Sequence, residues 1–220
     1  MKKIIQSYPY FVISYFVFLT AGIITRTQIN KGDIIFFFSE IRTPFLDHFF
    51  GFATRLGELL SYVLFLSLFL FIRYSYSILV VLSAALAGVA SAIFKNIFRL
   101  PRPKPYFESL GIDISDIAVN GHELYTSQVS SFPSGHTISA FTLFSVVALL
   151  SKNAFVQIVL LIIAIIVGLS RIYLVHHFLE DVLLGSFIGV CIGFTLVIIH
   201  KKLPKDKAIW YNRSLINNKH

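Results

Sequence analysis

The sequence predicts an all-α polytopic membrane bundle with about six transmembrane helices, and three observations predict it. The 220-residue chain is 56% hydrophobic with a mean hydropathy of +0.77, too apolar for one soluble core of this size to hide. The apolar residues gather in six stretches, at about 10–25, 56–72, 77–94, 137–150, 154–169 and 182–200. Each approaches the roughly 17–25 residues that a helix needs to cross a bilayer once interfacial ends are counted. Polar and proline-rich residues fall between these stretches, and no repeat, low-complexity tract or linker divides them, so residues 1–220 are expected to form a single transmembrane domain.

The elements follow in order. Lys2 and Lys3 ahead of an apolar run have the look of a signal peptide, but no small-x-small cleavage site follows, so the first span is expected to be retained. Residues 26–55 hold Phe36, Phe37, Phe38, Phe45, Phe49, Phe50 and Phe52 among charges. That composition suits either the headgroup region or packing against the bundle. The third span is expected to end near Leu100, because Pro101 disfavours helix in the residue before it. Residues 101–133 form a second long polar segment, opened by Pro101, Pro103 and Pro105. In the last span Gly185, Gly189 and Gly193 recur every four residues, a pattern that lets another helix approach closely. The single cysteine, Cys191, sits in that span and reads as core, with no disulfide framework to consider.

Charge sets the orientation. The formal net charge is +8, yet the cations are scattered between apolar spans and gather in a basic tail, 201–220, with Lys201, Lys202, Lys205, Lys207, Arg213 and Lys219. This is a topology signal and not a nucleic-acid patch. With both termini in the cytoplasm, Lys2, Lys3, Arg73, Lys152 and the tail lie inside on short segments whose one acid is Asp206, while the other acids lie outside on long ones. No obligate protein partner is evident; the expected partner is the bilayer itself, a bacterial inner or plasma membrane.

Ionisable groups near membrane depth are costly and tend to have a role. Three clusters stand out, and the assumed topology puts all three on the outer side. The first runs from Lys95 to Arg102 and Pro103, where the ammonium and the planar guanidinium can converge on one anion; interfacial snorkelling cations are the structural alternative. The second is Pro133, Ser134, Gly135 and His136 at the start of the fourth span. Backbone N–H groups at a helix start form a phosphate cradle, and His136 can give a proton to a leaving oxygen; a simple helix cap is the structural alternative. The third runs from Ser170 and Arg171 through His176 and His177 to Glu180 and Asp181. His177 and Asp181, four apart, share a face if both are helical, so the carboxylate can orient the imidazole and leave its other nitrogen free to attack. A rival grouping of His176, His177, Glu180 and Asp181 as metal ligands would leave the three basic clamps unexplained, and no metal or other cofactor is expected.

Together the clusters resemble the three signature motifs of the type-2 phosphatidic acid phosphatase superfamily of membrane lipid phosphatases, a superfamily that also includes vanadium haloperoxidases. Lys95, six residues, Arg102-Pro103 matches the first motif; Pro133-Ser134-Gly135-His136 matches the second; Ser170-Arg171, five residues, His177, three residues, Asp181 matches the third. The resemblance covers residues 95–181 without departure at any motif position, and phosphatidylglycerophosphate phosphatases are the nearest likeness. It implies His177 as nucleophile, Asp181 as its orienting partner and His136 as the acid. It also implies that Lys95, Arg102, Arg171, Ser134 and the Gly135 backbone hold the phosphoryl oxygens of a lipid phosphate, through a phosphohistidine and without metal. A non-catalytic lipid-binding relative would be expected to lack the two histidines, and a haloperoxidase would hold vanadate in the same pocket. Motif residues read the phosphate and not the lipid, so phosphatidic acid, phosphatidylglycerophosphate, a polyprenyl diphosphate and a lipid A phosphate all suit such a site.

Overall fold

Each of the six apolar stretches falls on a helix in the computed structural model, which describes residues 8–119, 121–125, 130–203 and 210–216; no strand occurs among them. In chain order the helices are α1 (Pro9–Gln28), α2 (Asp33–Glu40), α3 (Pro44–Arg55), α4 (Leu59–Ile72), α5 (Tyr74–Phe98), α6 (Pro103–Ser109), α7 (Gly135–Leu150), α8 (Ala154–Tyr173) and α9 (Leu179–Lys202). Short 3-10 turns occupy Ser115–Ile117 and Trp210–Asn212. Prolines open α1, α3 and α6, where a missing N–H costs nothing. Asn153 caps α8 by accepting from Phe155 N at 2.9 Å and Val156 N at 3.3 Å. α5 stops at Phe98, two residues short of the expected end, because Arg99 turns left-handed with φ 48° ahead of Pro101.

Four helices are long and apolar enough to cross a bilayer: α1, α8, α9 and the helical stretch that begins with α5. A fifth is reached if α3 and α4, bent by 56° at their junction, count as one broken span. The expected count of six is therefore not reached by length and composition. α7 is the reason. At 16 residues it extends only about 24 Å, against a hydrocarbon core of about 30 Å. It lies at the centre of the bundle, with Ile138, Ala140, Phe141, Leu143, Val146, Ala148 and Leu149 at 1% exposure or less. A helix enclosed by protein need not match the bilayer's thickness.

The glycine stripe on α9 packs as its spacing suggests. A Cβ at Gly189 would fall 2.7 Å from Ile138 O, and one at Gly193 would fall 2.7 Å from Ser145 Cβ, so only glycine lets α9 lie on the α7 backbone. Cys191, two residues from Gly189, points about 200° away. It is exposed on the outer face of α9, contrary to the expectation of a core residue. α9 is apolar on every side, so periodicity gave its side chains no inward direction.

The two long non-spanning segments fold over the end of the bundle where α7 and α9 begin. Phe38 and Phe50 pack on Tyr173, with ring centroids 5.7 and 4.4 Å away, and Phe36 packs on Phe107 at 5.1 Å. Phe37, Phe45 and Phe52 instead face outward. Packing against the bundle thus holds for part of the phenylalanine-rich segment.

Candidate active site

The bend between α3 and α4 begins the site. Leu56, Gly57 and Glu58 close it through bonds to Ala53, Thr54 and Arg55 carbonyls at 3.0, 3.0 and 3.1 Å. Gly57 fits tightly there, since a Cβ would stand 2.8 Å from Val167 Cγ1 and 3.0 Å from His136 O. Thr54 and Glu58 are thereby placed against the first turn of α7 and the last turn of α8. Thr54 Oγ1 accepts from Arg171 Nη1 at 2.5 Å. Glu58 Oε1 lies 3.2 Å from His136 Nε2.

Three cations converge from three elements. Lys95, in the last turn of α5, reaches the start of α7, where a Cβ on Gly135 would lie 3.6 Å from its Nζ. Arg102, at the N-cap of α6 and 8% exposed, donates through Nη1 to His176 O at 3.3 Å. Arg171, in the last turn of α8, is 3% exposed, and its Nε is buried with no hydrogen-bond partner among the described residues. Its own carbonyl accepts from the backbone N–H of both His176 and His177, at 3.0 and 3.1 Å. This double bond to one oxygen needs the chain to reverse sharply, and Val175 supplies the reversal at φ 59°. A β-branched residue there is strained by order 1–3 kcal/mol, and the side chain is held by burial at 2% exposure.

His177 lies in that turn and not on a helix, which corrects the assumption behind its pairing with Asp181. The pair nonetheless forms. Phe178 is the N-cap of α9, and the Asp181 carboxylate reaches back past it to His177 Nδ1 at 3.1 Å and to Phe178 N at 3.0 Å. Oδ2 also accepts a short hydrogen bond from Ser131 Oγ. Nδ1 is thus taken, and Nε2 is the ring nitrogen left for chemistry. Burial, followed by the charges of Arg171, Arg102 and Lys95, holds the His177 pKa well below the ordinary value, which keeps the imidazole neutral.

The second signature segment divides its tasks. Ser134 Oγ caps α7, accepting from Thr137 N at 3.4 Å and Thr137 Oγ1 at 2.9 Å, and Ser134 N donates to Asp181 O at 3.0 Å. Gly135 and His136 open the helix, with the His136 side chain 30% exposed beside Glu58. All eight residues expected from the sequence therefore lie at one end of the bundle. His176 and Glu180 do not join His177 and Asp181. His176 Nε2 lies 3.3 Å from Glu123 O, and Glu180 pairs with Arg26 and Lys31 at 3.3 and 3.4 Å. Among the described residues no three His, Cys, Asp or Glu side chains gather as metal ligands would.

Four residues of the site escaped the sequence reading. Thr54 and Glu58 lie far from the motifs in the chain, and only the 56° bend brings them back. Tyr125 places its ring 4.3 Å from Arg102 Cζ and 4.6 Å from the His176 ring. Ser131 had a weak signal, a Ser-Ser pair just before Phe132 and Pro133. Its backbone is fixed by a 2.8 Å bond from its N–H to Leu100 O.

The family model of the PAP2 superfamily matches residues 76–205. Phosphatidylglycerophosphatase B of Bacillus subtilis is 37% identical over 84 residues, 34% of this chain and 41% of that protein. Undecaprenyl-diphosphatase BcrC of the same organism is 30% identical over 117 residues, 52% of this chain and 54% of that protein. The matches thus span about half the length of these relatives or less. The crystal structure of Aquifex aeolicus LpxE superposes with a TM-score of 0.59 at 26% identity, covering 76% of this chain and 93% of that one. A transmembrane PAP2-type phosphatidylglycerolphosphate phosphatase from Bacillus subtilis superposes with a TM-score of 0.60 at 23% identity, covering 94% and 100%, and supports the fold.

The neutral histidines predict a pH dependence. Burial first, then Arg171, pushes the His176 pKa down to about 2, against an unfolded value near 6.5. The unfolded chain alone takes up this proton below pH 6.5, so the stability His176 contributes is present above that pH and lost as pH falls. The wild-type advantage in thermal midpoint over His176→Gln, measured in detergent, is expected to shrink between pH 7 and pH 5. A widening gap would contradict the assignment.

Proposed function

The chain belongs to the PAP2 superfamily, and from that premise we propose that it is a membrane-embedded phosphatase that removes a phosphate group from a lipid through a phosphohistidine on His177, without a metal ion. One observation carries the reading: a neutral histidine with Nδ1 held by Asp181 stands where Lys95, Arg102 and Arg171 converge. A phosphomonoester brings about −1.5 to −2 charges, which three fixed cations and the N–H groups at the start of α7 can offset as charge builds on the equatorial oxygens. His177 Nε2 attacks phosphorus, the bond to the lipid oxygen breaks, and His136, whose Nε2 lies 3.2 Å from Glu58 Oε1, gives that oxygen its proton. Water then attacks the phosphorus, His136 takes a proton from it, and the P–N bond breaks to release phosphate and restore His177. Lys95, Arg102, Arg171, Ser134 and the Gly135 backbone hold the phosphoryl oxygens throughout.

The motif residues recognise phosphate, so the lipid is selected by α2, α3, α6 and the segment 104–132 around the entrance. Both curated relatives are named for lipids that end in a phosphate or diphosphate, which supports the same substrate class here. Purified protein is expected to release phosphate from phosphatidic acid, phosphatidylglycerophosphate, a polyprenyl diphosphate or a lipid A phosphate, and to do so unchanged in EDTA. Release from none of the four, or release abolished by EDTA and restored by a divalent metal, would contradict the reading.

The site is proposed to face the extracytoplasmic side, with both termini of one transmembrane domain in the cytoplasm, because the basic tail then lies inside. Ser109, exposed at the end of α6, tests this. A Ser109→Cys variant in the Cys191→Ser background is expected to react with an impermeant thiol reagent in intact cells. Reaction only after permeabilisation would invert the orientation.

A further inference from the structure

The end of the bundle opposite the histidines holds a cavity of about 370 Å³, lined by Arg73, Lys152, His200, Lys201, Tyr8 and Tyr211 among others. Along α9 it lies about 28 Å from Asp181 by helical rise, so it is separate from the catalytic centre. Lys201 Nζ sits 4.3 Å over the Tyr8 ring, and Arg73 Cζ sits 5.5 Å from the Tyr76 ring. Among the described residues no acid lines the cavity. Among the described residues neither Arg73, Lys152 nor Lys201 pairs with a carboxylate. Interfacial snorkelling accounts for single cations at span ends, but not for three that line one hollow with no carboxylate partner among the described residues.

An apolar groove lies beside the cavity along α9. A groove of about 320 Å³ runs between α1 and α9, walled by Phe11, Tyr15, Phe187, Val190, Cys191 and Phe194. Tyr8, the N-cap of α1, is three residues from Phe11, as Lys201 is from Ile198 on α9, so the basic cup and the foot of the groove are about one helical turn apart. A cationic cup next to an outward-facing apolar slot matches the chemistry of a phosphate group joined to an acyl chain. We propose that α1 and α9 bind one anionic phospholipid at this end, its phosphate held by Arg73, Lys152 and Lys201 and an acyl chain in the groove, as a non-catalytic site. The positive cup selects against lipids whose headgroup carries a compensating cation, because each basic residue near the surface strengthens binding of an anionic lipid by about five-fold.

Cys191, the one cysteine in the chain, lies in the groove wall and reports its occupancy. Full-length protein in detergent is treated with N-ethylmaleimide in the presence of dioleoyl phosphatidylglycerol or dioleoyl phosphatidylcholine. Phosphatidylglycerol is expected to slow modification of Cys191 by about five-fold or more, and phosphatidylcholine is expected to leave it nearly unchanged. The Arg73→Gln, Lys152→Gln, Lys201→Gln variant, which keeps the catalytic residues, is expected to lose this protection while retaining turnover. Should the triple variant not fold, Lys152→Gln alone, on an exposed connection between α7 and α8, is expected to weaken protection by about five-fold. Equal protection by both lipids would reduce the groove to a contact with bulk lipid and overturn the proposal, as would no protection at all or protection that survives the substitutions.

Discussion

The contact of α9 with α7 through Gly185, Gly189 and Gly193 is the constraint on which the site depends. Because α9 has no side chain at these positions, its backbone comes close to that of α7, and a Cβ at Gly185 would already stand 3.0 Å from Ser134 O. One turn earlier on α9, Asp181 is therefore beside the start of α7, and its carbonyl accepts from Ser134 N at 3.0 Å. Asp181 in turn fixes His177, and the turn that carries His177 is tied to Arg171 at the end of α8. The second and third signature segments are thus joined by helix packing, with the first held to them by Lys95 at Gly135 and by Arg102 at the His176 carbonyl.

Burying cations together is expensive, and the fold meets that cost locally. Arg102 and Arg171 are 8% and 3% exposed, and like charges in a medium of low dielectric repel strongly. Backbone carbonyls, Thr54 Oγ1 and the ring of Tyr125 compensate part of the lost hydration. The buried acid at this end, Asp181, is already engaged by Ser131, His177 and Phe178 N. The arrangement is left electropositive and preorganised, which suits a dianionic phosphoryl group whose charge moves outward to its oxygens as the bond to the leaving oxygen breaks. Burial, and then the same positive field, keeps His177 neutral, the form of imidazole that the proposed attack requires.

Much of this was legible in the sequence because the chemistry is concentrated at helix ends. Lys95 before Pro101, Ser134 and Gly135 after Pro133, and His177 four residues before Asp181 each carry a local signal, and all eight expected residues meet. Even so, the reason for the His177 to Asp181 pairing was misread, since the left-handed Val175 turn replaces the assumed helix. Thr54 and Glu58 were not legible, because a 56° bend between two apolar helices leaves no mark in hydropathy. The expected six spans exceed the four or five that length and composition support for a related reason: hydropathy reports that α7 is apolar, but not that protein surrounds it. Cys191 shows the converse, an apolar setting that proved to be the outer face of a helix.

The most direct test of the account is rapid-quench trapping of the enzyme during turnover of a lipid labelled in its phosphate. The account predicts an acid-labile phosphoenzyme whose label maps to His177, with both label and turnover lost in His177→Ala, while His176→Gln still traps label. Label on His176, or full turnover in His177→Ala, would contradict it.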